Sequence, residues 1–143
     1  MADTSVDSIC QALSEIAPLR LAESWDNVGL LVGDRRQSVS RIMTCLTVTP
    51  DVVAEAAEEN ADLIISHHPL PFRPVQQIVS DSVTGDMLLR LIRNGTAVYS
   101  AHTAFDSADQ GINQTWADLL ELSSVEPLIV IRDETWDMSS TVG

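Results

Sequence analysis

Apolar residues near the start of the chain recur every three or four positions. They are Val6, Ile9, Cys10, Leu13 and Ile16. This spacing is typical of an amphipathic helix and predicts one over residues 6–16. Thr4 or Ser5 stands where a capping residue is expected, and Pro18 follows just beyond the end.

Shorter apolar runs along the rest of the chain predict strands. They cover residues 28–32, 42–48, 63–66, 97–101 and 127–131. Runs of this length, bounded by glycine, proline or polar residues, are typical of strands. The run Leu63-Ile64-Ile65-Ser66 has no polar residue before its end, so we expect it to be buried on both faces of a sheet.

A second helix is predicted to begin after Thr49-Pro50-Asp51. The threonine offers a capping hydroxyl, the proline suits the first helical position, and the aspartate suits the first turn. We expect this helix to direct four apolar side chains inward: Val52, Val53, Ala56 and Ala57.

Two more helices are predicted, over residues 83–93 and 112–122. The first would bury Met87, Leu88, Leu91 and Ile92, and Asn94-Gly95 would end it with a left-handed cap. The second carries Trp116, Leu119 and Leu120 at helical spacing, which favours a place in the core. The segment 70–80 lacks periodicity and predicts a loop.

Alternation of helices and strands predicts an α/β fold with a mostly parallel or mixed sheet covered by helices. We assign residues 1–132 to one domain. Residues 133–143, which include Trp136, carry little apolar pattern and form a tail, interpreted as the start of a missing C-terminal region.

The composition narrows the classes of function. The 143 residues include 8 basic and 21 acidic side chains, for a net charge of −13, which makes nucleic-acid and membrane-surface partners unlikely. The N-terminus lacks the pattern of a signal peptide, and no run reaches the roughly 20 apolar residues of a membrane span. We therefore expect a cytoplasmic protein, with Cys10 and Cys45 reduced in its core.

Polar residues able to bind metal follow two of the predicted strands. His67 and His68 come directly after one, and His102 and then Asp106 follow another about 35 residues later. Ligands of open α/β sheets bind beyond the carboxyl ends of the strands, and neighbouring strands would bring these residues together. Imidazoles and a carboxylate suit divalent zinc, iron, manganese or magnesium. A bend at the following prolines would let both adjacent histidines face one site, with Asp106 bridging a pair of ions.

Simpler interpretations stay open at these positions. Isolated histidines are most often only hydrogen-bonded, and Asp106 can be a helix cap before residue 112. His102 can be a ligand, a proton carrier or an ordinary residue at the end of a strand. Trp25-Asp26-Asn27 can be a turn with side-chain hydrogen bonds or part of the lining of a site.

Three short blocks carry a resemblance to a known family. They are Trp25-Asp26-Asn27-Val28-Gly29-Leu30, Ile64-Ile65-Ser66-His67-His68-Pro69-Leu70 with Phe72, and Ala101-His102-Thr103 with Asp106 and Gly111-Ile112-Asn113. In this order they resemble the N-terminal portion of the Nif-three-like dinuclear metal-binding proteins, also called GTP cyclohydrolase I type 2 homologues.

The resemblance implies an α/β subunit of a homohexamer, with two divalent ions in each complete subunit. It implies that His67, His68 and Asp106 are metal ligands and that His102 lies beside them, where it would serve as the catalytic proton carrier. The implied activity is metal-dependent hydrolysis of an unidentified small molecule, for which a nucleotide is one candidate. The alternative is a metal-binding scaffold or regulatory interaction protein without turnover.

One departure from the family pattern affects the expected site. Family members carry a further His-x-x-x-Glu motif near their C-terminus, whereas the three histidines of this chain end at His102. We therefore expect an N-terminal fragment or a truncated product with an incomplete site, and a non-functional remnant is a third interpretation. With so few donors, we expect the chain to bind at most one ion, and weakly.

Overall fold

The computed structural model describes residues 4–127, which form five helices, a short 3-10 helix and four strands. In chain order these are α1 (Val6–Ile16), the 3-10 helix (Leu19–Leu21), β1 (Gly29–Val32), β2 (Ile42–Cys45), α2 (Pro50–Glu58), β3 (Leu63–Ser66), α3 (Val83–Asn94), β4 (Ala97–Ser100), α4 (His102–Asp106) and α5 (Ile112–Leu119).

The strands form one mixed sheet in the order β1-β4-β3-β2. β2, β3 and β4 run parallel to one another, and β1 pairs antiparallel with β4 at one edge. Helices cover both faces, because α2 and α3 contribute to one hydrophobic cluster and α1 contributes to the other. The predicted α/β class with a mixed sheet is confirmed.

The two central strands hold the core together. All four residues of β4 are buried, as are Leu63, Ile64 and Ser66 of β3. Ile64 packs in the cluster beneath α2 and α3, whereas Leu63 packs with Val6 of α1 on the opposite face. Burial on both faces explains why this run is apolar without alternation.

Local capping fixes where the helices begin and end. Ser5 accepts a hydrogen bond from the backbone N–H of Ser8 at the start of α1, and Thr49 accepts one from Val52 at the start of α2. Gly95 ends α3 in the left-handed conformation, with φ of 68°. These three boundaries agree with the predictions.

Some predicted core positions are wrong. Ala57 is exposed, Ile92 is 55% exposed and Trp116 is 56% exposed, together with Leu119 and Leu120. Each helix packs along a narrower stripe than its apolar pattern indicates: α2 buries Val53 and Ala56, and α5 buries only Ala117. Both cysteines are free as expected, but only Cys10 is buried, and Cys45 lies half-buried on edge strand β2.

Several boundaries also differ. β2 ends at Cys45 rather than at residue 48, and α5 ends at Leu119 rather than at residue 122. The short helix α4 was not predicted, because five residues show no useful apolar period. The predicted strand over 127–131 and the tail 133–143 lie almost wholly outside the described residues.

Among residues 4–127, no helix combines the length and apolar character needed to cross a membrane.

Candidate metal centre

The candidate site lies where the two central strands end side by side. Ser66 of β3 is in register with Ser100 of β4. His67 and His68 therefore leave the sheet next to His102, which begins α4. The predicted meeting of these histidines at the carboxyl edge of the sheet is confirmed.

The buried serines at the strand ends hold the histidine backbone in place. Ser66 Oγ donates a hydrogen bond to the carbonyl oxygen of His68 (2.8 Å), and Ser100 Oγ donates one to the carbonyl oxygen of His67 (2.5 Å). The backbone N–H of His68 also donates to Leu46 O on the neighbouring chain segment. These bonds restrain the segment from which both imidazoles project.

The three imidazoles converge. One ring nitrogen from each of His67, His68 and His102 lies within 4.8 Å of the others. The ring centroids are 5.1 Å apart for His67 and His68, and 5.2 Å apart for His67 and His102. The chain bends at His67 and His68, just before the prolines, and the two adjacent side chains thus share one site.

Asp106, the last residue of α4, lies at the margin of this cluster. Its Oδ1 atom is 3.7 Å from Nε2 of His67. The alternative of a helix cap is wrong, because Gly111 occupies the position that precedes α5. Asp106 instead turns one carboxylate oxygen toward the histidines.

Burial determines the charge state of His67. Loss of solvent lowers the pKa of His67, the carboxylate of Asp106 opposes that change, and the neighbouring imidazoles of His102 and His68 lower the pKa further. The imidazole is therefore neutral at neutral pH. A neutral imidazole keeps the lone pair that a metal ion requires.

His102 is held by a carboxylate from a distant part of the chain. Its Nδ1 atom lies 2.8 Å and 2.9 Å from the two oxygens of Asp26, whose side chain is 0% exposed. Burial would raise the pKa of Asp26, but hydrogen bonds from Thr103, His102 and Asn27 outweigh it and lower the pKa. Asp26 is thus ionised at neutral pH.

Both sequence interpretations of Asp26 apply. Its Oδ1 atom accepts from the backbone N–H of Asn27, as in a turn, and the same carboxylate reaches the site. Its role as the partner of His102 could not be read from the sequence, since the two residues are 76 positions apart.

His68 has its own partner. The hydroxyl of Thr47, in the bend after β2, lies 2.7 Å from His68 Nδ1. An imidazole that donates Nδ1–H to this oxygen leaves Nε2 without a proton and able to bind metal. The sequence gives no sign of this contact, because Thr47 lies within the predicted strand 42–48, whereas β2 ends at Cys45.

Two exposed aromatic rings border the cluster. The ring centroid of Trp25 lies 6.4 Å from that of His102, and the centroid of Phe72 lies 6.2 Å from it. The Asn27 side chain donates to the carbonyl oxygen of Pro71 (2.6 Å), which ties the loop that carries Phe72 to the Trp25 segment.

The donor set fits a divalent ion. Three imidazole nitrogens and a nearby carboxylate are typical ligands of zinc, iron and manganese. One nitrogen from each ring lies within 4.8 Å of the others, so two of the imidazoles can bind an ion while the third stays beside it. The other ring nitrogens of His68 and His102 already have hydrogen-bond partners, as in many metal sites.

Comparison with known proteins gives a consistent family match. Residues 4–136 match the family model described as Duf34/NIF3 (NGG1p interacting factor 3). A "GTP cyclohydrolase 1 type 2 homolog" from Clostridium acetobutylicum is 44% identical over 115 residues, covering 80% of this chain and 43% of that protein. A protein of the same name from Listeria monocytogenes is 44% identical over 112 residues, covering 78% of this chain and 30% of that protein.

Solved structures with the same fold include several with at least 30% identity. A Bacillus cereus protein related to NIF3 aligns with a TM-score of 0.84 and 33% identity, over 92% of this chain and 36% of that one. Reduced HcgD from Methanocaldococcus jannaschii aligns with a TM-score of 0.83 and 30% identity, over 90% of this chain and 52% of that one. The chain spans less than half the length of both named relatives.

Proposed function

This chain belongs to the Duf34/NIF3 family, and from that premise we propose that its histidine cluster binds a divalent metal ion and supports hydrolysis of a small molecule. The observation that carries the proposal is the convergence of His67, His68 and His102 within 4.8 Å. Within residues 4–127 no other group of three or more metal-binding side chains has this geometry.

The roles follow from position and protonation. His67 and His68 are the imidazole ligands, and Asp106 is the carboxylate ligand. A bound divalent ion supplies a Lewis acid and lowers the pKa of a water molecule in its coordination sphere. His102 is the proton carrier: its Nδ1 atom is engaged by Asp26, so its Nε2 atom is free to accept a proton.

The aromatic border indicates where a substrate would lie. Trp25 and Phe72 stand exposed beside His102 and offer an apolar surface to a ring or another flat group. The matched relatives carry the name GTP cyclohydrolase 1 type 2 homolog, so GTP and other nucleotides are the first substrates to test.

The ligand count supports one ion rather than two. The chain has three histidines, and two of them with one carboxylate give fewer donors than two four-coordinate ions require. The expected two ions per subunit, the homohexamer and the cytoplasmic location stay predictions for the complete family protein.

The test is metal-dependent turnover by the purified chain. Nucleotides and phosphoesters would be supplied with zinc, manganese, iron(II) or magnesium, and product formation compared for wild type, His68→Ala and Glu58→Ala. We expect turnover that requires metal and is reduced at least about tenfold by His68→Ala. Glu58, which is exposed at the end of α2 remote from the cluster, serves as the control and should leave the rate unchanged.

Full metal binding without turnover on any substrate would contradict the enzymatic part of the proposal. It would favour the alternative of a metal-binding scaffold or regulatory interaction protein, a possibility consistent with the interacting factor in the family description. Turnover that persists in His68→Ala would contradict the metal site itself.

A further inference from the structure

We propose that Asp26 is a positioning residue that holds His102 in the tautomer with Nδ1 protonated and Nε2 free to face the cluster. This inference rests on the proposed function, because orienting His102 matters for catalysis only if the cluster is a metal site. The hydrogen bond itself can be tested separately, because it joins two side chains of the metal-free chain.

The contact between the two side chains is close and shielded. His102 Nδ1 lies 2.8 Å from Oδ1 and 2.9 Å from Oδ2 of Asp26. The Asp26 side chain is 0% exposed and the His102 side chain is 16% exposed, so water does not compete for this bond. Hydrogen bonds to an ionised acceptor out of water are among the strongest in proteins.

Other donors hold the carboxylate in one orientation. Asp26 accepts from the backbone N–H of Asn27 (2.8 Å), the backbone N–H of Thr103 (3.2 Å) and the Thr103 hydroxyl. That hydroxyl itself accepts from the backbone N–H of Glu23 (3.0 Å), which directs its proton toward Asp26. These donors hold the carboxylate of Asp26 in the orientation that faces His102.

The tautomer follows from the chemistry of the partners. An ionised carboxylate only accepts hydrogen bonds, so Nδ1 of His102 must carry the proton. In neutral imidazole the lone pair then lies on Nε2. This is the nitrogen left to face the other two imidazoles, whose ring centroids are 5.2 Å and 5.7 Å from that of His102.

The backbone of His102 adopts an unfavourable conformation, which the surrounding hydrogen bonds must stabilise. His102 has φ of 33°, a left-handed conformation that is unfavourable for a residue with a side chain. It occurs where β4 turns into α4, and the hydrogen bonds that Asp26 accepts from His102 and from the next residue, Thr103, offset it. The same carboxylate thus fixes both the backbone and the ring.

The test reads the tautomer directly. The metal-free chain, labelled with ¹⁵N-histidine, would be studied at about pH 8, where imidazoles are mostly neutral. Long-range ¹H–¹⁵N spectra report which ring nitrogen holds the proton, and a His102→Gln variant identifies the His102 signals. We expect wild-type His102 to be protonated at Nδ1.

Asp26→Asn is the matched variant, because the amide keeps the shape but can donate a hydrogen bond to Nδ1. We expect the His102 tautomer to shift toward Nε2–H, while Thr103→Val, which leaves the carboxylate in place, keeps Nδ1–H. Zinc affinity should change less than about threefold in Asp26→Asn, because His102 is not a ligand in this account, whereas any turnover should fall at least about tenfold.

Wild-type His102 protonated at Nε2 would overturn the inference even if Asp26→Asn failed to fold. An unchanged tautomer in a folded Asp26→Asn chain would overturn it as well. Failure of the proposed function looks different: the wild-type chain would not bind zinc, while the His102 tautomer would still depend on Asp26.

Discussion

At the scale of single residues, the histidines are arranged by neighbours that do not themselves reach the centre of the cluster. Thr47 contacts Nδ1 of His68, and Asp26 contacts Nδ1 of His102. Both contacts leave the other ring nitrogen directed inward. Such outer hydrogen bonds orient metal-binding imidazoles and set their tautomers.

Replacing Thr47 tests this arrangement for His68. Thr47→Val keeps the branched shape but removes the hydroxyl, so His68 loses the acceptor for Nδ1–H. We expect zinc affinity, measured by competition with a chromogenic chelator, to fall about tenfold or more. Thr47→Ser keeps the hydroxyl and should stay within about threefold of wild type. Equal affinities in the valine and serine variants would contradict a role for this bond.

The three histidines of the cluster could be predicted from the sequence because they follow closely after two apolar runs. Their outer partners could not, since Asp26 lies 76 positions from His102 and Thr47 lies 21 positions from His68. Contacts of that kind depend on how strands are ordered in the sheet. The spacing of apolar residues along the chain does not show how the strands are ordered in the sheet.

At the scale of elements, local patterns predicted most boundaries but not which side of a helix is buried. α1, α3 and β3 agree with their predicted ranges to within one residue. Trp116 and Ile92 show the limit, because their helical spacing predicts an apolar face without saying what that face contacts.

Two glycines with positive φ give a matched test of how the sheet edge is packed. A side chain at Gly33 (φ 117°) would place Cβ 2.6 Å from Cβ and 2.9 Å from Cα of Ala97 on β4, whereas Cβ at Gly95 (φ 68°) meets nothing within 4 Å. We expect Gly95→Ala to lower the free energy of unfolding by about 1 kcal/mol. Gly33→Ala should cost at least about 3 kcal/mol, because backbone strain and overpacking add.

Chemical denaturation of both glycine variants would measure these changes. A smaller loss for Gly33→Ala than for Gly95→Ala would contradict the close approach of the two strands at this edge.

Asp62 links the starts of β2 and β3 and should make stability depend on pH. Its Oδ2 atom accepts from the backbone N–H groups of Ser40 and Arg41 and from the Ser40 hydroxyl. The backbone bonds from Ser40 and Arg41 lower the pKa of Asp62 in the folded chain. Its stabilisation is therefore complete above the unfolded pKa of about 3.9 and is lost as pH falls through the lower folded value.

Asp62→Asn removes the charge while keeping an acceptor oxygen. We expect a loss of about 1 kcal/mol in unfolding free energy at pH 7, and a smaller difference from wild type in strongly acidic solution. Urea denaturation at several pH values measures both quantities. A difference that stays constant down to the acid limit would contradict the role of the ionised carboxylate.

At the scale of the whole molecule, the candidate metal-binding side chains of the described residues gather at one edge of the sheet. All three histidines of the chain meet there, and Asp106 reaches the same point from α4. The net charge of −13 favours the approach of divalent cations. The fold thus supplies one compact group of donors, and we expect it to hold one ion.

Zinc content after equilibrium dialysis tests the central claim most directly. Wild type, the double variant His67→Ala/His68→Ala and the control Glu58→Ala would be dialysed together against the same buffered zinc, and bound metal measured by mass spectrometry. We expect about one zinc ion per chain in wild type and control, and almost none in the double variant. Equal zinc content in the double variant and wild type would contradict the assignment of the metal site to this histidine pair.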